Sequence, residues 1–261
     1  MNAISRDKEL FNCIYTLSFE NERKLSIVST SFLLTFESPK EYLLVTTAHT
    51  VDDLENCKWG VDNGFGKIST FYKTKRPALG RDYDRADLAF ALMDEKTKIF
   101  FENNNFRFIS SFDIGEINDH EYLGYYTISG FPGSQNKNLN FRTNYHSWHF
   151  KHDVNNEFIE LNQKFYNSHH FENFYLPYNL KVATETGKSA VLPKFEGMSG
   201  SPIWGWFKKG DKIIPKWIGM LISYLPKEKY FFATSSGKTL FILNDYLNFN
   251  DNYSIQRKQI L

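Results

Sequence analysis

Between residues 26 and 36 the chain reads "SIVSTSFLLTF", and between 41 and 51 "EYLLVTTAHTV"; only "ESPK", a turn with a proline, separates them. Two apolar, β-branched runs joined by a proline-bearing turn specify a hairpin. The pattern recurs. "ADLAFALMD" (86–94), "EYLGYYTISGFPG" (121–133), "SPIWGWF", "IPKWIGMLISYL" and "KYFFATSS" are all short apolar segments closed by charge, glycine or proline. Such spacing favours an all-β sandwich or barrel over alternating βαβ units. One helix is expected, over "GKTLFILNDYLNFN" (237–250), where Leu240, Phe241, Leu243, Tyr246 and Leu247 recur at roughly helical intervals. The polar stretch 102–121 reads as the connection between two halves.

Composition narrows the function classes. At 261 residues the chain is long enough for a substantial core, and 17% of it is aromatic. A net charge of +1 gives no reason to expect nucleic acid or an anionic membrane as partner. The N-terminal stretch has no apolar core of signal-peptide length, and no window approaches a membrane span. Cys13 and Cys57 lie far apart without metal-ligand spacing, so reduced thiols in a cytoplasm are expected. His146, His149 and His152 in "HSWHFKH" sit in an aromatic β-type run and read as a hairpin surface, as do His169 and His170. No metal and no cofactor is expected.

Three stretches suit one chemistry. Acyl transfer by serine needs a base for the hydroxyl proton, an acid that fixes the base's tautomer, and N–H donors for the oxyanion. His49 stands at the end of a β-run in "LLVTTAHTV". Asp87 stands at the mouth of "LAFALM", where a histidine partner would account for an acid so close to a buried strand. Asp82 and Asp84 are rivals, further from the apolar run. Ser199 lies in "FEGMSGSPIWG" (195–205) between Gly197, suited to turning its N–H inward, and Gly200, expected to leave room for substrate.

Together these stretches resemble the trypsin-like (chymotrypsin-fold) serine peptidases, bacterial cytoplasmic type. "TTAHTV" is similar to the family's T-A-A-H block, "DLAFALM" to its D-I-A-L block, "GMSGSP" to its G-D-S-G-[GS]-P block, and "SGFPG" to a glycine-tyrosine-proline turn of bacterial members. The resemblance runs over roughly 27 to 243. It implies two packed six-stranded antiparallel β-barrels with a C-terminal helix, residues 1–110 carrying His49 and Asp87 and residues 111–261 carrying Ser199. His49 would be the general base, Asp87 its orienting acid and Ser199 the nucleophile of a serine endopeptidase. The N–H groups of Gly197 and Ser199 would form the oxyanion hole. Pro193 and Lys194 would lie near the floor of the primary side-chain pocket, with Ile222 and Ser223 on the strand that pairs with substrate. Lys194 would then favour an acidic side chain, unless it simply points to water.

The chain also departs from the family. Met198 stands where many members carry the aspartate that pairs with a new N-terminus, so no trypsin-style zymogen switch is expected, and control would fall to a regulatory partner protein, a ligand or loop ordering. Ser31 replaces a glycine ahead of Phe32, and Thr50 the usual cysteine after the histidine. The partner expected is a protein or peptide substrate. Two other readings stay open: a peptide-binding scaffold whose catalysis is dormant, and an esterase using the same residues.

Overall fold

The computed structural model describes residues 12–21, 24–37, 40–53, 59–60, 70–74, 86–117, 119–132, 148–153, 173–178, 181–183, 189–191, 194–247 and 256–259. Two antiparallel sheets dominate. The first holds seven strands: β1 (Ile14–Asn21), β2 (Lys24–Glu37), β3 (Lys40–Thr47), β4 (Trp59–Gly60), β5 (Thr70–Lys73), β6 (Leu88–Leu92) and β15 (Gln256–Gln259). Their spatial order is β15-β5-β6-β3-β2-β1-β4. The second holds β7 (Tyr122–Gly130), β8 (Trp148–Asp153), β9 (Asn173–Pro177), β12 (Pro202–Lys209), β13 (Lys212–Leu225) and β14 (Tyr230–Ser235), in the order β8-β7-β12-β13-β14-β9. Strands β10 (Lys181–Ala183) and β11 (Ser189–Val191) pair with each other.

The hairpin at "ESPK" forms as expected, with Glu37 opposite Lys40 and Phe32 opposite Val45. Its second arm stops at Thr47, four residues short of the apolar run's end, because Ala48–Asp53 turn into a short helix, α1. The polar stretch between the halves carries regular structure of its own. It follows helix α2 (Glu95–Asn103), whose first turn is capped by the Asp94 carboxylate accepting from the Thr97 N–H at 2.8 Å. It then bridges both sheets, through Ile109 beside Leu34 and Ile114 beside Trp217. The C-terminal helix is present as α3 (Ser236–Leu247). Beyond it, β15 pairs with β5 and so joins the first sheet. Among the described residues each sheet runs from one edge strand to another, so closure into six-stranded barrels is not seen.

Three apolar clusters hold these layers. One fills the first sheet around Leu33, Leu44, Val51, Phe71 and Phe101. A second fills the other sheet around Tyr126, Phe174, Phe195, Met198, Phe207 and Phe231. The third lies between them: Phe32 and Leu34 of β2 meet Trp204, Trp217 and Met220 of the second sheet and Ile242 and Leu243 of α3. Phe32 and Trp217 touch at a ring separation of 5.3 Å. Burying each such ring contributes about 4–6 kcal/mol before conformational entropy is charged against it. That shared cluster fixes the two sheets against one another, and the candidate site lies where their chains cross. No described helix is long and apolar enough to cross a membrane.

Candidate active site

His49 is the second residue of α1, two positions after Thr47, the last paired residue of β3. Asp87 directly precedes β6, which is β3's neighbour, so the pairing of Thr47 with Leu88 brings the two residues together. The Asp87 carboxylate then meets His49 twice. Oδ2 lies 2.5 Å from Nδ1, and Oδ1 accepts the His49 backbone N–H at 2.9 Å. With the Asp87 side chain 7% exposed, a bond to the ionised carboxylate selects the tautomer protonated on Nδ1 and leaves Nε2 able to accept a proton. Asp82 and Asp84 lie outside the described residues.

The backbone at Asp87 is held in an uncommon shape, with φ of +42°. Asp and Asn are the side-chain-bearing residues that most often enter this left-handed region. Three neighbours over-determine it. The Ala48 N–H donates to the Asp87 carbonyl at 2.9 Å, Thr234 Oγ1 donates to the Ala86 carbonyl at 2.5 Å, and Thr74 exchanges hydrogen bonds with Leu88. Thr234 belongs to β14, so the second sheet helps to place the acid of the first.

Ser199 sits in the turn between residue 195 and β12. The turn closes on itself through Met198 N–H to the Phe195 carbonyl (2.9 Å) and Ser201 N–H to the Met198 carbonyl (3.0 Å). Gly197 and Gly200 both take positive φ, +86° and +85°, which a glycine adopts without steric cost. Met198 donates within the turn and Gly200 donates to the Leu221 carbonyl at 2.8 Å, whereas the Gly197 and Ser199 N–H groups meet no acceptor among the described residues. Met198 itself is buried with Phe195 in the second sheet's core, so apolar packing anchors the turn. Gly130 is required beneath it: a Cβ there would lie 2.0 Å from Ser201 Oγ and 2.9 Å from Met198 Sδ.

Gly200 serves a different purpose from the one expected. A Cβ at this position would meet the Thr30 carbonyl of β2 at 2.1 Å and Thr46 Oγ1 at 2.6 Å. The space it leaves is filled by the first sheet, not by substrate.

What sequence reasoning missed is a set of buried hydroxyls that ties the halves together. The Ser199 carbonyl accepts from the Thr30 N–H at 3.0 Å and from Ser29 Oγ at 2.5 Å, while Thr30 Oγ1 donates to the Gly197 carbonyl at 2.8 Å. Thr50 Oγ1 donates to Ser29 Oγ at 3.0 Å, and Thr47 Oγ1 stands 2.7 Å from Thr50 Oγ1. Because each hydroxyl has one proton, the bonds run in one direction, from Thr47 through Thr50 and Ser29 to the Ser199 carbonyl. Thr50 adjoins His49, so the same chain joins the histidine's helix to the serine's turn. The signal was present in "STS" and "TTAHT", hydroxyl residues in strands otherwise built to be buried. Ser31 lies outside this chain of hydroxyls and donates to the Tyr15 carbonyl at 2.9 Å. No direct hydrogen bond joins His49 to Ser199.

The expected substrate-pairing strand is placed beside the turn. β13 outruns β12, whose pairing ends at Pro202 opposite Met220, and over Leu221–Leu225 it pairs only with β14 among the described residues. Its other side faces the serine turn, where Leu221 donates to the Ser201 carbonyl at 2.9 Å. Ile222 is a buried bulge residue and Ser223 is half-buried. Lys194 is exposed, and Pro193 lies outside the described residues, as do His146, His169, His170 and Cys57. Positions 149 and 152 fall on β8.

No protein-family model matches the chain, and no curated protein does. Solved structures similar to it include a Glu endopeptidase (12% identity, 91% of this chain and 91% of that one, TM-score 0.47). Another is a thermostable serine protease, AL20, from an extremophilic microorganism (13% identity, 93% and 100%, TM-score 0.47). A third is the VesB protease of Vibrio cholerae (14% identity, 95% and 67%, TM-score 0.48).

Proposed function

We propose that this chain is a serine endopeptidase that cleaves peptide bonds through Ser199, His49 and Asp87. The observation that carries the reading is the double grip of the Asp87 carboxylate on His49, which holds the ring by its Nδ1 and by its own backbone. In the proposed reaction Ser199 Oγ attacks the substrate carbonyl carbon as its proton passes to His49 Nε2. The carbonyl oxygen becomes an oxyanion held by the N–H groups of Gly197 and Ser199. The C–N bond then breaks as His49 returns the proton to the leaving amine, and water repeats the sequence on the acyl ester. Asp87 stays ionised and stabilises the imidazolium.

The same reading extends to the setting. The two sheets would act as the two barrels of a chymotrypsin-like fold, with peptide adding along β13 beyond Leu221. With Met198 packed in the core, the oxyanion turn needs no new N-terminus to shape it, and any control would come from a regulatory partner. The cytoplasmic setting expected from cysteine usage is kept as part of this proposal.

One observation favours a second reading. The missing His49–Ser199 hydrogen bond is what a dormant, peptide-binding version of the fold would show, although such bonds often tighten only once substrate is bound. A fluorophosphonate probe separates the two. Covalent labelling of the folded protein that disappears in Ser199→Ala supports the enzyme. A folded wild-type protein that takes up no label supports the binding module.

A further inference from the structure

The approach to the serine turn is bridged by an aromatic side chain. Where β13 passes the turn, the pairing with β14 slips between Leu221 and Ser223, leaving Ile222 as an extra residue. A bulge of this kind bends its strand and re-aims the side chains that follow. Tyr224 is the second of these. Its ring meets Phe195 edge-on at a centroid separation of 5.4 Å, and its hydroxyl donates to Glu196 Oε1 at 3.4 Å. Phe195 has little freedom to yield, being packed against Tyr178 at 5.2 Å and Phe231 at 4.8 Å.

Two segments therefore meet at both ends of a short interval. At one end Gly200 and Ser201 are hydrogen-bonded to Leu221. At the other, Phe195 and Glu196 are joined to Tyr224. Under the proposed function, a substrate has its carbonyl oxygen at the Gly197 and Ser199 N–H groups and its backbone along residues 222–224. The side chain of the residue that supplies the attacked carbonyl must then enter between these two segments. Tyr224, half-buried and in contact with both Phe195 and Glu196, reaches from one segment to the other.

We infer that Tyr224 sets specificity by filling the slot for that side chain, so that the substrates are peptides with glycine, alanine or serine at the cleaved residue. This rests on the endopeptidase reading. The two segments are bridged chiefly by the ring contact of Tyr224 with Phe195, and exclusion from such a slot is a steric matter: even one methylene changes discrimination by about 10–200-fold.

The test uses the full chain and peptide substrates that differ only at the cleaved residue, alongside fluorophosphonate labelling. Wild-type protein should cleave after alanine at least about 10-fold faster, in kcat/KM, than after phenylalanine or leucine. Tyr224→Gly should raise cleavage after phenylalanine and bring it level with alanine or above. Tyr224→Phe, which keeps the ring and deletes the hydroxyl, should retain the preference for small residues, and it carries the test should the glycine variant not fold. Labelling by the probe together with wild-type cleavage after large, basic or acidic residues would overturn this inference and leave the endopeptidase reading standing. Failure of folded wild-type protein to label would overturn both.

Discussion

Asp87→Asn should lower turnover about 10^4-fold while leaving the protein folded, the size of loss seen when the equivalent acid of a serine triad becomes an amide. Both halves of that expectation come from the geometry. The backbone at Asp87 has φ of +42°, a region that asparagine tolerates as well as aspartate. Its hydrogen bonds from Ala48 to the residue 87 carbonyl and from Thr234 to the residue 86 carbonyl do not involve the side chain. The amide oxygen can also keep the bond from the His49 N–H, which reaches Oδ1 at 2.9 Å. What changes is the atom 2.5 Å from Nδ1. An amide nitrogen there donates, forces Nδ1 to accept, and moves the ring proton to Nε2, where it blocks removal of the serine proton. The check is kcat beside a thermal melt. An unchanged melt with turnover near the wild-type value would move the acid's role elsewhere, to Asp82 or Asp84.

Gly200→Ala should cost about 3–5 kcal/mol of stability and abolish labelling at Ser199, and it acts through the junction of the two sheets. The left-handed backbone alone accounts for about 1–2 kcal/mol. The remainder comes from a collision with backbone. The added methyl would stand 2.1 Å from the Thr30 carbonyl, on a strand paired on both sides by β1 and β3. The turn must retreat, and with it go the bonds from Thr30 N–H and Ser29 Oγ to the Ser199 carbonyl and from Thr30 Oγ1 to the Gly197 carbonyl. Gly210→Ala is the matched control. Its φ is also positive, at +60°, but nothing lies within 4 Å of the new methyl. A melting temperature lower by about 10 °C or more at Gly200 and by only a few degrees at Gly210 is expected. Equal losses at the two sites would mean that the close approach to β2 carries no weight.

Much of this architecture could be read in the chain. "ESPK" between two β-branched runs has one compact solution, and the structure takes it, with β2 and β3 antiparallel about that turn. His49 and Asp87 were legible as a pair because an acid beside "LAFALM" needs a reason to be there. Their meeting follows from β3 and β6 being neighbours, which is a matter of topology and invisible in local pattern. Helix α2 was hidden for a related cause. Its apolar face is carried by few residues, with Phe101 the buried one, so its periodicity is weak. The hydroxyl chain through Thr47, Thr50 and Ser29 was hidden most deeply. Serine and threonine fit a strand, a turn or a surface equally well, and only burial against the other sheet gives them a directed role. Gly200 shows the same limit, since a glycine beside a serine signals close approach without saying what approaches.

In the proposed reaction Ser199, activated through His49, breaks peptide bonds. The most direct measurement of this reaction is mass spectrometry of a mixed peptide library incubated with the full chain. New peptide termini are expected with wild-type protein and none with Ser199→Ala. A library that binds both proteins equally and is recovered intact from each would contradict it.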